Sequence, residues 1–399
     1  APTFGGINLE DIKAPEAFEI ERRLKEELDI PVMHDDQHGT AIISSAALLN
    51  ALELAKKKIE KVKVVVSGAG ASALSCAKLY HALGVKVENI FMFDSKGLIW
   101  AGRDGLDESK AFFAKHKKEV KFEEAFKKAD VFLGLSRGGL VKKEMIKVMA
   151  KDPIVFALAN PEPEISYKDA TSVRKDIIMA TGRSDHPNQV NNVLGFPFIF
   201  RGALDVRATT INEEMKLAAV KAIASLAKET IPEEVIEAYG EKNIQFGREQ
   251  IIPKPLDPRL ISTVAPAVAK AAMDSGVAKH PITDWEAYEM ELLNRLGLDN
   301  KLIRNITEKA QNSPKRVVFA EADNIKILKA AQTASEEGVA IPILLGKAKI
   351  IENLIEEYAF EFPDVEIIDP KSDEERDRRE TFGKAFFEKR NRKGTTEFE

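Results

Sequence analysis

Residues 62–73 read VKVVVSGAGASA, and this stretch decides the fold that the sequence predicts. An apolar run is followed by a glycine-rich turn, and a segment with helical spacing then continues to Gly84. The next apolar segment, IFMFD, covers residues 90–94. A strand, a tight turn, a helix and a second strand form a βαβ unit, which places its two strands parallel in one sheet.

The alternation of strands and helices continues beyond this unit. Three further apolar segments predict strands, and two helical segments are expected near 123–129 and at 143–150; the strand segments are VFLGLS (131–136), IVFALA (154–159) and IIMAT (177–181). Strands with nearly unbroken apolar runs are typical of sheets buried on both faces. The predicted fold class is therefore α/β, a doubly wound parallel sheet of the Rossmann type.

The length of 399 residues indicates more than one domain, because single cores stop growing at about 250–300 residues. Two long helices are expected at 213–229 and 264–273, separated by a proline-rich stretch. The chain then becomes polar and helical before a new βαβ pattern begins at RVVFA. We predict a dinucleotide-binding domain over 39–279, a helical linker over 280–313 and a second α/β domain over 314–399.

Composition excludes several classes of partner. The chain has 59 Lys+Arg and 64 Asp+Glu, a net charge of −5, and both signs are interspersed. Without a sustained basic patch we do not expect nucleic acid binding. The single cysteine, Cys76, has no partner for an internal disulfide, and neither a signal peptide nor an apolar run of about 18 residues is present. We expect no membrane association and a reducing, cytoplasmic location.

The glycine-rich turn has the G-x-G-x-x-A arrangement of a dinucleotide site, with Gly68, Gly70 and Ala73 at its fixed positions. The first glycine permits the tight turn, the second lets a pyrophosphate approach the backbone, and the small third residue lets helix and strand pack closely. The phosphates would rest on the helix N-terminus. The predicted cofactor-binding residues are Gly68, Ala69, Gly70, Ala71, Ser72 and Ala73, and the alternative is a glycine-rich turn that binds no ligand.

Asp94 ends the second strand of this unit, where an acidic side chain can bind the ribose hydroxyls of adenosine. Ser95 and Lys96 follow directly and could instead favour a 2′-phosphate. The sequence therefore predicts NAD or NADP as cofactor and leaves the choice between them open.

Three carboxylates predict a metal site. Glu10 and Asp11 are adjacent in GGINLEDI, and Asp36 lies in PVMHDDQHGT, residues 31–40. Carboxylate oxygens are hard ligands that suit Mg²⁺ or Mn²⁺ and leave positions open for water or substrate. The alternative is that these residues are caps or dipole partners at helix N-termini.

The helix after this acidic stretch is expected to begin near Thr40, which is a plausible N-cap. Asp35 and Asp36 would then precede the helix. His34 and His38 could indicate a transition metal, but two histidines four residues apart outside a clear helix are more typical of ordinary polar residues.

Amide side chains form the last candidate group. Asn160 lies at a strand end in LANPEPE, and Asn191 and Asn192 lie in NQVNNVLGFP. Ligands bind beyond the carboxyl ends of strands in open α/β sheets, and an amide can both donate to and accept from a carboxylate or hydroxyl. Ordinary turn chemistry is the alternative for each of them.

Taken together, FGGINLEDI, HDDQHGTA, SGAGASA, FDSKGLI, LANPEPE and NNVLGFP resemble malic enzymes in order and spacing. The segments REQIIPKPLDPRL and VAPAVAKAAMDSGVA are most similar to the bacterial hybrid form, in which a malic enzyme is joined to a phosphotransacetylase-like domain. This resemblance runs from Thr3 to about residue 280, and the stretch from RVVFAEADNIKILKAAQ onward resembles the start of a phosphotransacetylase.

The resemblance implies oxidative decarboxylation of (S)-malate to pyruvate and CO₂ with a divalent metal and NAD or NADP, with NADP slightly favoured. It implies that residues 1–38 end the substrate and metal domain, and it gives no role to the histidines. Asp35 would support the catalytic lysine of the family, while Asn160 and Asn192 would hold substrate and cofactor. The implied metal ligands are Glu10, Asp11 and Asp36.

In this family a lysine base and a tyrosine acid are expected upstream of FGGINLEDI. We therefore expect both ends of the sequence to be cut and this piece alone to be inactive. The resemblance also implies a homo-oligomer and a regulatory C-terminal domain that binds acetyl-CoA. Lys326 stands where such domains tend to carry an arginine after EADN, which argues against acetyl transfer. The alternatives are an acyl transferase, or a dinucleotide- or acetyl-CoA-sensing module without catalysis.

Overall fold

The structure, a computed structural model, describes most of the chain in two compact units, Ala1–Gly297 and Leu298–Glu399. The last residues of the predicted second α/β domain, 391–399, lie outside the described residues. The described residues are 3–13, 15–232, 235–236, 239, 245–255, 257–295, 306–307, 309–362 and 365–390.

The first unit begins with a small parallel sheet. Strand β1 (Ile7–Leu9) pairs with β2 (Val32–His34), and helix α1 (Glu16–Glu27) connects them. Helix α2 (Asp35–Leu54) follows β2 without an intervening loop. The carboxyl ends of both strands therefore lie side by side, where acidic residues follow each of them.

Helix α2 corrects the prediction that the helix starts near Thr40. It begins at Asp35, with the extended residue His34 at its N-cap position. The two aspartates lie in its first turn, where the helix dipole favours negative charge. Sequence spacing of apolar residues missed this turn because its core-facing residues are polar.

The main sheet of the first unit has six strands in the order β5-β4-β3-β6-β7-β8. All neighbours pair in parallel except β4 and β5, which are antiparallel. This confirms the predicted doubly wound α/β fold. The strands are β3 (Val64–Ser67), β4 (Ile90–Asp94), β5 (Gly97–Leu98), β6 (Val131–Gly134), β7 (Ile154–Ala157) and β8 (Ile178–Thr181).

Helices cover both faces of this sheet. The predicted helix at 123–129 is only one turn long, and both predicted long helices are present. The helices are α3 (Ala71–Ala82), α4 (Glu108–Ala111), α5 (Phe122–Ala125), α6 (Lys143–Lys147), α7 (Tyr167–Val173), α8 (Phe196–Asp205), α9 (Glu213–Leu226), α10 (Arg259–Asp274) and α11 (Trp285–Arg295).

The core follows the alternation of side chains along β3. Val64 and Val66 pack on the face that carries α2, α3, α9 and α10, whereas Val65 packs on the opposite face against the layer of α5, α6 and α7. Most of helix α2 is buried, and it packs against α3 and α9. The first turn of α2 is thereby fixed relative to the sheet.

The second unit contains a three-stranded parallel sheet in the order β11-β10-β9. The predicted βαβ pattern at the start of this unit is confirmed. Helix α11 occupies part of the stretch predicted as a linker, and its Tyr288 packs in the first unit against Ala265. The elements of the second unit are β9 (Lys315–Ala320), α12 (Ile325–Glu336), β10 (Ala340–Leu345), α13 (Ala348–Glu357), β11 (Glu366–Ile368) and α14 (Arg376–Arg390).

No helix in the described part of the chain combines the length and the apolar character needed to cross a membrane.

Candidate functional site

The small parallel sheet brings the two predicted acidic segments together. Leu9 of β1 lies opposite His34 of β2, so Asp11 and Asp36 leave the sheet at the same edge. The backbone N–H of Asp11, which has a positive φ of 56°, donates to Asp36 Oδ2 at 2.9 Å. From sequence, the two segments share only their carboxylate side chains. The strand register places them in contact.

The predicted metal ligands are all accessible to solvent. Glu10 and Asp11 are exposed, and Asn8 Nδ2 donates to Glu10 Oε2 at 2.9 Å. Across the described ranges, no three His, Cys, Asp or Glu side chains are already grouped as a metal site. The carboxylate donor set fits a hard divalent cation chemically. These three side chains would have to converge to hold one.

Asp35 is buried directly behind this acidic edge and contacts a loop far along the chain. Asn192 Nδ2 donates to Asp35 Oδ2 at 3.1 Å, and the Thr40 hydroxyl donates to Asn192 Oδ1 at 3.0 Å. Burial raises the pKa of Asp35 to about 6; the Asn192 hydrogen bond opposes the rise, and the charges of Glu10 and Asp36 add to it. Two residues assigned to catalysis by the resemblance, Asp35 and Asn192, are thus in contact.

Gly39 makes this contact sterically possible. A Cβ atom at this position would lie 2.2 Å from Asp35 Oδ1 and 2.8 Å from Asn192 Cγ. Asp35 Oδ1 is itself buried without a hydrogen-bond partner in the described structure. The lack of a side chain at residue 39 therefore leaves room for the Asp35 carboxylate.

We expect Gly39→Ala to lower turnover of the full-length protein at least about tenfold, because the added methyl group must displace Asp35 or Asn192. Overpacking of this kind costs about 1–3 kcal/mol. Steady-state kinetics and thermal unfolding would check it, with Gly383→Ala as control, since a Cβ there meets no atom within 4 Å. Wild-type turnover in Gly39→Ala would show that the Asp35–Asn192 contact is not needed.

A carboxylate that sequence reasoning missed, Glu21 of α1, fixes the turn between β2 and α2. Its Oε1 accepts from the backbone N–H of His34 at 3.3 Å, from His38 Nε2 at 2.9 Å and from Lys25 Nζ at 2.8 Å. Burial lowers the pKa of His38 to about 4. His34 Nε2 contacts the Ile12 carbonyl at 3.2 Å. His34 is therefore the N-cap residue of α2 and His38 lies inside the helix, whereas the sequence placed both histidines outside a helix. Both rings bind protein atoms.

The glycine-rich turn has the geometry that its sequence predicts. Gly68 has a φ of 115°, and a Cβ there would lie 2.5 Å from the Leu135 carbonyl oxygen. Ala73 is buried, and its Cβ lies 3.6 Å from a Cβ placed at Gly68. A Cβ at Gly70 would meet no atom within 4 Å, and no side chain caps α3. The space beside Gly70 at the start of α3 is therefore free of protein atoms, as a bound phosphate requires.

A crevice of about 700 Å³ lies at the carboxyl ends of β3, β4 and β6, and we call it the switch-point crevice. The chain runs from β3 to β4 on one side and returns to β6 on the other, which is where doubly wound sheets bind ligands. Its volume is within the range of small-molecule sites. Its lining includes Gly68, Ala69, Gly70, Asp94, Lys110, Ser136 and Arg137. The remaining predicted cofactor-binding residues of the turn, Ala71, Ser72 and Ala73, form the start of α3.

Asp94 lines this crevice, but it is already paired. Arg103 Nη2 donates to Asp94 Oδ2 at 2.6 Å, and the Lys96 N–H donates to Oδ1 at 2.8 Å. Burial raises the pKa of Asp94, but the hydrogen bonds from Arg103 and the Lys96 N–H, together with the charges of Arg103 and Lys110, outweigh it and hold the pKa below its ordinary value. No motif in the sequence pointed to Arg103, whose partnership depends on the turn through β5.

Asn160 is exposed in the loop after β7. No hydrogen bond among the described residues joins it to Asp35, Asn192 or Asp94. Asn191 accepts the Val193 N–H at 3.0 Å, which is the ordinary turn role expected as its alternative. The structure thus brings Asn192 to the acidic edge and leaves Asn160 at the carboxyl edge of the main sheet.

Comparison with known families gives two matches along the chain. Residues 37–237 match the family described as "Malic enzyme, NAD binding domain". Residues 301–399 match the family described as "Phosphate acetyl/butaryl transferase". The first match covers the main sheet and both sides of the switch-point crevice.

Individual relatives agree with the first match. The NADP-dependent malic enzyme of Haemophilus influenzae is 50% identical over 99% of this chain and 52% of its own length. The NAD-dependent malic enzyme of Rhizobium meliloti is 52% identical over 93% and 49%. The crystal structure of malic enzyme from Pyrococcus horikoshii is 41% identical, with a TM-score of 0.65, over 77% of this chain and 70% of that one. The chain spans about half the length of these curated relatives.

Proposed function

This chain belongs to the malic enzyme family, and from that premise we propose that the protein oxidatively decarboxylates (S)-malate to pyruvate and CO₂ while NAD or NADP is reduced. The observation that carries the proposal is the contact of Asn192 with Asp35 directly behind the acidic edge formed by Asp11 and Asp36. Acidic and amide groups there suit a hydroxy acid substrate with a cation, and the switch-point crevice suits a dinucleotide.

The proposed roles of the acidic residues follow from their positions. Glu10, Asp11 and Asp36 would hold Mg²⁺ or Mn²⁺, which when bound supplies Lewis-acid stabilisation of charge at the C2 oxygen. Asp35, buried and held by Asn192, would orient a neighbouring base from a part of the protein outside this sequence. Asn192, whose amide is fixed by Thr40, would place substrate relative to the dinucleotide.

Hydride removal from C2 of malate leaves a β-keto acid, whose decarboxylation produces an enolate. The C2 hydroxyl proton must first leave to a general base, and the enolate must later receive a proton. We propose that residues outside this sequence perform both transfers, while Asn160 and Asn192 would hold substrate and cofactor near the reacting carbon. The contribution of the described residues is therefore binding and orientation.

For the cofactor we propose NADP slightly ahead of NAD. Named relatives include both NADP-dependent and NAD-dependent enzymes. Lys110 lines the switch-point crevice close enough to Asp94 to lower the pKa of that carboxyl, after the larger effects of Arg103 and the Lys96 N–H. A cation there would attract a 2′-phosphate, whereas the Asp94 carboxylate would repel one.

Asp94→Ala is expected to weaken NAD binding about tenfold and NADP binding less, since loss of one charge-assisted hydrogen bond costs about 1.5 kcal/mol. Titration calorimetry with each dinucleotide would measure it. Asp176→Ala is the matched control: the Arg174–Asp176 ion pair has the same 2.6 Å distance but precedes β8, at the opposite edge of the sheet. Unchanged affinity for both dinucleotides in Asp94→Ala would remove Asp94 from the site.

For the C-terminal region we propose a phosphotransacetylase-like domain of the hybrid type that binds acetyl-CoA as an effector, within a homo-oligomer. The match over 301–399 supports this assignment. An acetyl transferase reaction is the alternative for this region, and it would appear as acetyl phosphate formation from acetyl-CoA and phosphate.

Absorbance of reduced nicotinamide tests the main proposal. The full-length protein is mixed with malate, Mn²⁺ and NADP or NAD in turn, and each reaction is repeated with a chelator. We expect chelator-sensitive reduction with at least one dinucleotide. A folded protein that reduces neither would overturn the proposal in favour of a dinucleotide-sensing role.

A further inference from the structure

Glu164 is a fully buried carboxylate at the carboxyl edge of the main sheet, with 0% of its surface exposed. Its two oxygens accept from different loops. Oε1 accepts from the backbone N–H of Ser136 at 2.9 Å, and Oε2 accepts from the backbone N–H of Ala159 at 3.1 Å. One side chain thus joins the loop after β6 to the loop after β7.

Both loops belong to the proposed site. Ser136 lines the switch-point crevice, and its hydroxyl lies 2.8 Å from the hydroxyl of Ser67, the residue before Gly68. Ala159 immediately precedes Asn160. The Glu164 carboxylate therefore contacts, directly or through Ser136, the ends of β3, β6 and β7 at the same edge.

Packing alone does not account for an acid at this position. Glu164 forms no ion pair with any cation among the residues that the structure describes. Burial raises its pKa, while the N–H groups of Ser136 and Ala159 oppose that rise. Burying a carboxylate is costly unless its hydrogen bonds are satisfied. Two separate N–H donors require the two acceptor oxygens that a carboxylate provides.

Gly134 supplies the space for this carboxylate. A Cβ at Gly134 would lie 2.3 Å from Glu164 Cδ and 2.4 Å from Oε2. The last residue of β6 and the buried acid therefore fit each other sterically. A substitution at either position should disturb the same contact.

We propose that Glu164 is a positioning residue for dinucleotide binding, which holds the Ser136 loop and the Asn160 loop at a fixed separation. It fixes the Ser136 wall of the switch-point crevice without touching the cofactor. This inference rests on the proposed function, but it is tested by binding alone.

Glu164→Gln is the first test, because glutamine keeps the size but has one acceptor oxygen, so either Ser136 or Ala159 loses its partner. We expect a dinucleotide dissociation constant ten- to a hundredfold higher, measured by calorimetry with NADP and NAD without malate or metal. The affinity for Mn²⁺ alone, followed by electron paramagnetic resonance, should stay within about twofold. Glu21→Gln is the matched control: it alters a buried carboxylate at the turn between β2 and α2 and should leave dinucleotide affinity unchanged.

Gly134→Ala provides a second route to the same contact. We expect it to weaken dinucleotide binding as well, and to add little when combined with Glu164→Gln, because neighbours that share one contact are not additive. Additive losses, or parallel losses of dinucleotide and Mn²⁺ affinity with a lower unfolding temperature, would show general destabilisation and overturn the proposal.

The two proposals fail separately. Malate turnover with a native dinucleotide affinity in Glu164→Gln would overturn the positioning role and leave the proposed function standing. If the protein shows no malate turnover but its dinucleotide binding depends on Glu164, the proposed function is overturned and the positioning role stands.

Discussion

Asp36→Ala in the full-length protein is expected to abolish metal-dependent malate turnover, with a loss of at least about a thousandfold, while dinucleotide binding stays largely intact. The substitution removes one of the three proposed carboxylate ligands and also the acceptor of the Asp11 N–H. A thousandfold loss corresponds to about 4 kcal/mol, a reasonable value for a cation that stabilises developing charge. Turnover at increasing Mn²⁺, together with Mn²⁺ binding by calorimetry, measures the effect.

Two variants accompany this test. Asp36→Asn keeps an oxygen that can accept the Asp11 N–H but lacks the charge, and we expect an intermediate loss of Mn²⁺ affinity. Asp29→Ala removes a carboxylate that is 77% exposed and paired with Lys279, and it should behave as wild type. Retained malate decarboxylation in Asp36→Ala would disprove the metal assignment.

Gly68→Ala should cause the second largest effect, a loss of dinucleotide affinity of more than about a hundredfold and a lower unfolding temperature. Its φ of 115° is unfavourable for any residue with a Cβ, and that atom would lie 2.5 Å from the Leu135 carbonyl oxygen. The turn must shift, and the start of α3 shifts with it. Calorimetry and thermal unfolding would measure the two consequences.

Gly70→Ala separates ligand space from protein strain. Gly70 has a φ of −81°, and its Cβ would meet no protein atom, so the stability of the fold should not fall. The added methyl group would nevertheless occupy the space proposed for the pyrophosphate, and dinucleotide affinity should drop at least about tenfold. Native affinity in Gly70→Ala would place the dinucleotide elsewhere.

The sheet could be predicted because its signals are local. Each buried strand, such as Ile90–Asp94, is a short apolar run next to a turn, and parallel connection follows from the helices between them. The start of α2 could not be predicted from apolar spacing. Its first turn is polar, and its position is set by the end of β2 and by Glu21, which lies on another helix.

Site residues could be predicted where they belong to a sequence motif. Residues that reach the site only through tertiary contacts could not. Gly68 and Asp94 follow from spacing within one βαβ unit, whereas Arg103 reaches Asp94 through a turn that carries no motif. Glu164 lies within the quoted segment LANPEPE, but only the fold reveals that it is buried. Its partner Ser136 is on a different loop.

The two sides of the acidic edge, Asp36 at the start of α2 and Asp11 in the loop after β1, differ in how firmly the core holds them. Asn50, near the far end of α2, donates to the carbonyls of Ala224 and Ile251, and the middle of the helix is buried in the core. That part of α2 can open to solvent only when the core itself opens, so we expect the helix that carries Asp36 at its start to be held rigidly. Asp11 lies on an exposed loop after β1. We therefore expect a cation to meet Asp36 on a rigid helix, while Glu10 and Asp11 adjust to it from a loop with little packing around it.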